Sequence, residues 1–532
     1  MSLRARLSWL FPLLTLSVGC VSEPPESSGG DRNVRDNPHV GGLPEGPLAN
    51  NNLVTDGGVA DGGSDAVTVS AQMRYFTASG VEARPGQLTS APQILVPQAD
   101  GTFVTYNGTS DGAGGYVFSN VPQGTYYLKN GSGYIVTDSR TVDVGYDLLG
   151  RADAVRIPGL YQAQLQFNVS NLSPWDSRGT FQMASGEVDM SGSIYSMTAP
   201  PALGATTFAG TELMDSFVGE VPRFEAARGD RAWVNQVSTL DAGTLADGGT
   251  LTYTAVTRGI QLPAFSYDGT TPIPVTGAMQ VSPRTEFPFE WRVSSFLAQG
   301  TVTHPQAQPS GTTLYVMPAA HGLSQGWIGY SGELLTLNLP TGHTEDLVRR
   351  VSFGNPYPST WGVVGEVYHS YRVPVQVPGY ASSYTYGSIT QMERLESMIA
   401  SPISVRLSPP RDLMLDGVSA YTPRMVGSVS PVLSWRPPEI GSATAGYAIR
   451  LYRYAPSSTT STTLRRTRVA SFYVGPSTTQ LRLPPGILEP ARNYTLEVSA
   501  ISVQGDVTRT PYRLNQVPQY RANATTSVFT TP

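Results

Sequence analysis

Glycine and proline punctuate this sequence so often that short extended segments, rather than long helices, are what it can build. Between the interruptions lie runs in which apolar and polar residues alternate. Leu165, Phe167 and Val169 do so in LQFNV, Phe287, Phe289, Trp291 and Val293 in FPFEWRV, and Leu335, Leu337 and Leu339 in LLTLNL. Alternation places every second side chain on one face of a strand, so each run offers an apolar face to a core and a polar face to water. Turn clusters such as DGTTPIP and HPQAQPSG separate the runs, the pattern of sandwiches or a barrel. With 55 Gly and 43 Pro in 532 residues and only 14% charged residues, composition agrees. The expected fold class is all-β, with several β-sandwich modules in tandem behind a disordered amino-terminal tether. One stretch reads differently. In SITQMERLESMIAS, Ser388 and Gln391 match a capping box, and Ile389, Met392, Leu395, Met398 and Ile399 share a helical face. The spacing predicts a helix over 388–401.

The chain has a single cysteine, Cys20, and it closes the opening stretch MSLRARLSWLFPLLTLSVGC. Arg4 and Arg6 precede an apolar run, Leu7 to Val18, of about a dozen residues, which suits a signal-peptide core and is too short to span a bilayer. This order of basic, apolar and small residues before cysteine resembles a bacterial lipoprotein signal, although Ser17 stands where leucine is commonest. The resemblance implies cleavage after residue 19, acylation of Cys20 (palmitate among the chains) and, with Val21 rather than Asp next, sorting to the outer membrane. Residues 21–66 hold eight acids against two arginines, a net −6 within a chain total of −5. They lack periodicity and aromatic residues, so they cannot offset chain entropy by burial. Such a linker spans roughly 35–40 Å root-mean-square. Its DGG repeats read as linker rather than as calcium turns. This acidic, Gly-rich leader resembles those of myxobacterial-type lipoproteins. No later segment reaches about eighteen consecutive apolar residues, so no membrane-spanning helix is expected. The body after residue 66 is near neutral, which argues against nucleic-acid binding.

Two modules carry family resemblances. In GGYVFSNVPQGTYYL, Tyr116 and Phe118 alternate, Pro122 and Gly124 turn the chain, and Tyr126 and Leu128 alternate again, predicting a hairpin. The stretch is similar to the carboxypeptidase regulatory-like (transthyretin-like) β-sandwich, here 67–150, a spacer or interaction module that has no catalytic residues to carry over. From Pro409, PVLSWRPP, YAIRLYRY and LEPARNYTLEVSAISV resemble a fibronectin type III domain over 406–532. Trp435 matches its core tryptophan and Tyr494 its corner tyrosine, whose hydroxyl bonds upstream backbone. A long connection from Gln504 to Ala524 departs from that pattern and is a place where function can be added. Residues 151–405 form a β-rich region, one large domain or two small sandwiches.

Few residues there point to chemistry. GLSQG (322–326) has the spelling of a hydrolase elbow, with Asp346 and His369 following, but WIGYSGELLTLNL continues as strand where the elbow requires a helix. Glu286 and Glu290 fall on one face of a strand, where solvent exposure explains them as well as glycoside chemistry does. His39, His304, His321, His343 and His369 lack zinc-like spacing, so neither metal nor cofactor is expected. Arg228-Gly229-Asp230 spells the integrin tripeptide but reads as a turn into a strand. Aromatic residues crowd 327–386. They fill β cores as readily as they stack on sugars, and packing is the favoured reading; Trp327, Tyr330 and Trp361 are the ones a glycan would meet. The sequence therefore supports a non-catalytic, membrane-anchored structural, adhesive or interaction protein of the cell envelope. Its partners would be the membrane through the lipid and an envelope polysaccharide or surface protein. The alternative is a carbohydrate-binding protein or polysaccharide hydrolase with its site in 151–405.

Overall fold

A computed structural model describes residues 65–88, 90–321, 323, 332–458 and 461–532. The signal, Cys20, the tether as far as residue 64, His39, Ser324, Trp327 and Tyr330 lie outside the described residues. The described chain is all-β: strands succeed one another from Val67–Ser70 to Phe529–Thr530, and its helical segments are single short turns such as Val293–Leu297.

Residues 67–149 close around Val67, Val69, Ile94, Phe118, Tyr126, Leu128 and Val142, all buried. Tyr116–Phe118 and Tyr126–Asn130 do not form the predicted hairpin. The first pairs with Val67–Ser70 and Thr109–Ser110, the second with Gly133–Thr137 and Gln93–Pro97. The connection between them leads from one strand pair to the other over the surface, with Val121 tucked in: Val121 is fully buried, and its N–H reaches the Asp65 carbonyl at 2.9 Å. Phe118 and Tyr126 thus meet in one core from different strand pairs.

Residues 162–281 surround a second core that includes Leu165, Phe167, Phe181, Phe208, Val234 and Val275. Its longest element is the hairpin of Ala232–Thr244 and Thr250–Leu262. The third and largest core takes in Phe287, Phe289, Trp291, Leu335, Leu337, Ile389, Trp435 and Leu496. The alternation read from FPFEWRV holds through Trp291; Val293 then opens a short helix.

The helix predicted over 388–401 is a strand for half its length. Ser383–Arg394 is extended, and only Leu395–Met398 is helical. Ser383–Arg394 is paired on both sides, with Gly362–Val375 and with Gln519–Thr525. One face is buried and the other is half-buried along most of its length, and at its end Gln391, Met392 and Glu393 are buried in succession. A strand buried on both faces loses the period-two signal that distinguishes it from a helix. The expected capping residues serve other ends: Ser388 Oγ bonds Asn523, and the Gln391 amide donates to the Ser404 carbonyl at 3.0 Å and accepts the Arg406 N–H.

At the carboxyl end, Arg411–Leu415, Val432–Arg436 and Gln480–Arg482 make one sheet. Gly446–Pro456, Leu464–Val474, Asn493–Ser502 and Gln519–Thr525 pair successively in another. Trp435 sits between them, edge-on to Tyr447 at 5.3 Å. The buried Tyr494 hydroxyl accepts the Glu489 N–H at 2.9 Å. Tyr494→Phe is expected to lower stability by about 1–3 kcal/mol, read as a lower urea midpoint, because that N–H loses its partner.

One continuous sheet runs through all these regions. From Thr250–Leu262 it passes through Leu335–Asn338, Gln308–Ala319, Gly362–Val375 and Ser383–Arg394 into Gln519–Thr525. It then crosses the carboxyl-terminal strands to Leu464–Val474, which pairs in parallel with Gly133–Thr137. Strands that would be bare edges of separate modules, open to unwanted pairing, are thereby closed by one another. The long late connection serves this closure, and it ends earlier than the sequence suggests, because the next strand begins at Gln519. Its Arg513 pairs with Asp143 at 2.8 Å and lies 3.5 Å from the Asp147 carboxylate, Arg74 grips Asp147 with two bonds of 2.7 Å, and Tyr512 stacks on Tyr146 at 4.8 Å.

Candidate functional site

Each candidate for chemistry in the described residues is occupied by a structural task. Asp346 accepts the Ser294 N–H at 3.0 Å and an Arg292 bond at 3.2 Å, holding the start of the short helix. His369 is buried between Phe296 and Tyr371, with Nδ1 2.7 Å from the Thr312 hydroxyl. Asp346 and His369 thus have separate partners and do not form the relay that a hydrolase elbow requires. Glu286 pairs with Arg350 at 3.0 Å and Glu290 with Arg292 on the outer face of their strand, opposite the buried Phe287, Phe289 and Trp291. His304 accepts the Gln306 N–H on Nδ1 at 3.0 Å, which leaves Nε2–H to donate to the Ser527 hydroxyl at 3.0 Å. Among the described residues no group of three His, Cys, Asp or Glu is placed to hold a metal ion. Among them, too, no helix is long and apolar enough to cross a membrane.

The Arg-Gly-Asp tripeptide is built into a turn. Gly229, at φ 81°, ends a helical turn at Ala226–Arg228. Asp230 is fully buried and takes a two-point bond from Arg151, at 3.1 and 2.9 Å, and the Glu225 N–H at 2.8 Å. A carboxylate so enclosed cannot reach a receptor's metal.

Trp361 is 5% exposed. Its ring stacks face to face on Tyr357 at 4.8 Å, meets Trp233 at 5.1 Å and receives His321 edge-on at 5.5 Å. Sugar platforms need an open ring face; here Tyr357 occupies it.

Buried titratable groups give the fold a definite response to acid. Burial pushes His304 and His369 down to about 4 and lowers His321 as well. Burial pushes Glu366 the other way, up to about 7, with Arg521 opposing and Glu333 reinforcing the rise. The histidines stay neutral when folded and take protons when unfolded, so their contribution is complete above about pH 6.5 and lost as pH falls toward 4. Glu366 holds its proton more firmly when folded, so it adds stability as pH falls from about 7 toward 4.5. Glu366→Gln is therefore expected to make the acid loss of stability steeper, as measured by urea midpoints between pH 7 and 4.5.

A regular outward surface belongs to Gln162–Ser170, flanked by Phe208–Ser216 and Ile273–Ala278. In QAQLQFNVS the inward residues are Ala163, Leu165, Phe167 and Val169; the outward ones are Gln162, Gln164, Gln166, Asn168 and Ser170. Beside them stand Thr211, Leu213 and Asp215 on one neighbour and Pro274, Thr276 and Ala278 on the other, with no register shift. Asp215 bears the one formal charge among these positions, and it accepts the Gln162 amide at 2.8 Å. At the Asn168 end the surface deepens into an open groove of about 640 Å³, walled by Ala199, Pro200 and Pro201. The wall is held from inside: buried Glu212 accepts the Thr198 and Ala199 N–H groups at 2.8 and 3.2 Å. The sequence reading used only the inward residues of this strand. The signal it passed over is the alternate row, in which four successive outward positions are amides.

No protein-family model matches the chain, and no curated protein does. The crystal structure of the chicken CNTN1 FN1–FN3 domains is 11% identical; the match covers 71% of this chain and 98% of that one, with a TM-score of 0.12. A superposition that loose carries no argument about this chain.

Proposed function

We propose that this chain is a non-catalytic interaction protein of a bacterial cell envelope, anchored to the outer membrane through a lipid on Cys20. Its fibronectin type III-like and carboxypeptidase regulatory-like modules serve as a platform rather than as independent beads. The observation that carries the reading is the fate of the reactive side chains: Asp230, Glu286, Glu290, Asp346 and His369 are all bonded into the framework. The outward face of Gln162–Ser170 meanwhile remains regular and open. The continuous sheet fits a platform, because inter-module strand pairing keeps surfaces of different modules at fixed separations.

The test incubates the full chain, kept in detergent, with isolated envelopes of the producing cell. Co-sedimentation without released sugar is the expected result, together with an acyl mass on the peptide that begins at Cys20. Sugar release would overturn the non-catalytic reading, and an unmodified thiol would overturn the anchor.

A further inference from the structure

We infer that the outward face of Gln162–Ser170 and the groove at its Asn168 end bind an extended, uncharged polysaccharide. The inference rests on the interaction reading above and gives that reading a ligand class.

Length comes first. Nine residues at roughly 3.3 Å each give a track of about 30 Å, enough for a chain of several sugar rings. Outward side chains recur every second residue, roughly 7 Å apart, with flanking rows about 4.8 Å to either side. The unbroken pairing of Gln162–Val169 with Phe208–Asp215 keeps that lattice regular.

Chemistry comes second. An amide offers donors and an acceptor together, as a sugar hydroxyl does, so Gln164 and Asn168 can each satisfy a hydroxyl in either sense, while the Gln166 amide also donates to the Gly210 carbonyl at 3.5 Å and helps to hold the row in place. Gln166 already shows this with a hydroxyl of the protein: its Oε1 accepts the Thr211 O–H at 2.6 Å. Thr276 lines the groove beside Asn168. Gln164 is exposed, as is Leu213 directly opposite it, whose half-exposed side chain can cover the apolar face of a ring.

Charge decides among ligand classes. Nucleic acids, anionic polysaccharides and lipid headgroups require cations, and the outward rows contain none. Their one charge, Asp215, repels anions. A peptide adding as a strand would need the edge of Ile273–Ala278 away from Gln162–Ser170, and Pro274 takes one backbone donor from that strand. A neutral hydroxylated polymer meets neither obstacle. The wall braced by Glu212 is preformed, which limits the ordering cost of binding.

The test is affinity gel electrophoresis of the full chain in detergent, with hydroxyethyl cellulose, xyloglucan or dextran cast into the gel and polygalacturonate as the anionic control. At least one neutral polymer is expected to retard the chain, and added salt is expected to leave the retardation unchanged. The combined change Gln164→Ala, Gln166→Ala and Asn168→Ala should weaken it by roughly tenfold or more, about 1.4 kcal/mol. These side chains are on the surface, so an unchanged melting curve will show that the variant folds. As a second variant, Thr276→Asp should weaken binding by placing a charge in the groove. The assignment is overturned if no neutral polymer retards the chain, if the triple variant is retarded equally, or if polygalacturonate alone retards it in a salt-sensitive way. Co-sedimentation with envelopes but no retardation by any neutral polymer would remove the groove assignment and leave the interaction reading standing. Sugar released from the envelopes would remove the interaction reading itself.

Discussion

Asp230→Ala is expected to destabilise the protein by about 2–4 kcal/mol, since it removes a fully buried carboxylate together with its two bonds from Arg151 and one from the Glu225 N–H. The charged partner is Arg151, whose side chain is 16% exposed. Arg151 keeps bonds to Asp153 and Glu225, at 2.8 and 3.1 Å, but loses the two-point contact that fixes its plane. The Glu225 N–H loses its carboxylate acceptor as well. Asp230→Asn keeps the shape and one acceptor and should cost less. Arg228→Ala, in the same tripeptide but with its side chain 57% exposed, should change stability by under about 1 kcal/mol. Urea midpoints of the three variants measure this ordering. If Asp230→Ala unfolded no more easily than Arg228→Ala, the buried knot would be wrong and the tripeptide would again be a candidate for recognition.

The knot illustrates which parts of the fold were legible in the sequence. Half-buried strands were, because alternation survives wherever one face meets water: Leu165, Phe167 and Val169 point inward as read, as do Phe287, Phe289 and Trp291. Strands covered on both faces were not. At Ser383–Arg394 the successive burial of Gln391, Met392 and Glu393 broke the period, and apolar residues three and four apart then imitated a helix. Pairing partners were harder still. The parallel match of Tyr134 with Phe472 joins residues more than three hundred positions apart. Nothing in either strand names the other, because backbone hydrogen bonding is the same for every sequence. Asp230 was hidden for a related reason: a carboxylate's burial depends on where a distant arginine lands.

The candidate surface was partly legible. The row Gln162, Gln164, Gln166, Asn168 could be read from the same alternation that located Leu165 and Phe167, by asking what the other face carries. The groove beside Asn168 could not, because its wall comes from the Ala199–Pro201 segment and is braced by Glu212 from inside the core. Aromatic content drew attention toward 327–386, but an aromatic residue signals burial at least as often as recognition. Amides in regular outward rows are the rarer pattern, since a merely soluble strand would more readily expose charge.

Trp361→Ala is the second large effect expected, about 3–5 kcal/mol, the cost of an emptied aromatic site in a packed core. The ring is shared between regions. Trp233, Tyr357 and Trp361 all belong to the third core, and Trp233 comes from the long hairpin whose Ala232, Val234 and Leu262 line the second. Tyr357 is itself fixed by the Asn235 amide, which donates to its hydroxyl at 2.9 Å. The fit allows little relaxation. A Cβ built on Gly186 would lie 2.9 Å from the Trp361 ring and 2.8 Å from His321, so the backbone approaches as closely as a glycine permits. Collapse around an alanine would have to move elements of both cores, which is why the loss should fall high in the usual range. Trp361→Phe keeps most of the packing and should cost less. The pair of variants also separates packing from recognition. If Trp361 works only in the core, Trp361→Phe should bind neutral polysaccharide as the parent chain does, while Gln164→Ala with Asn168→Ala should not. Loss of retardation in Trp361→Phe at unchanged stability would return the ligand to the aromatic segment and take it away from the amide row.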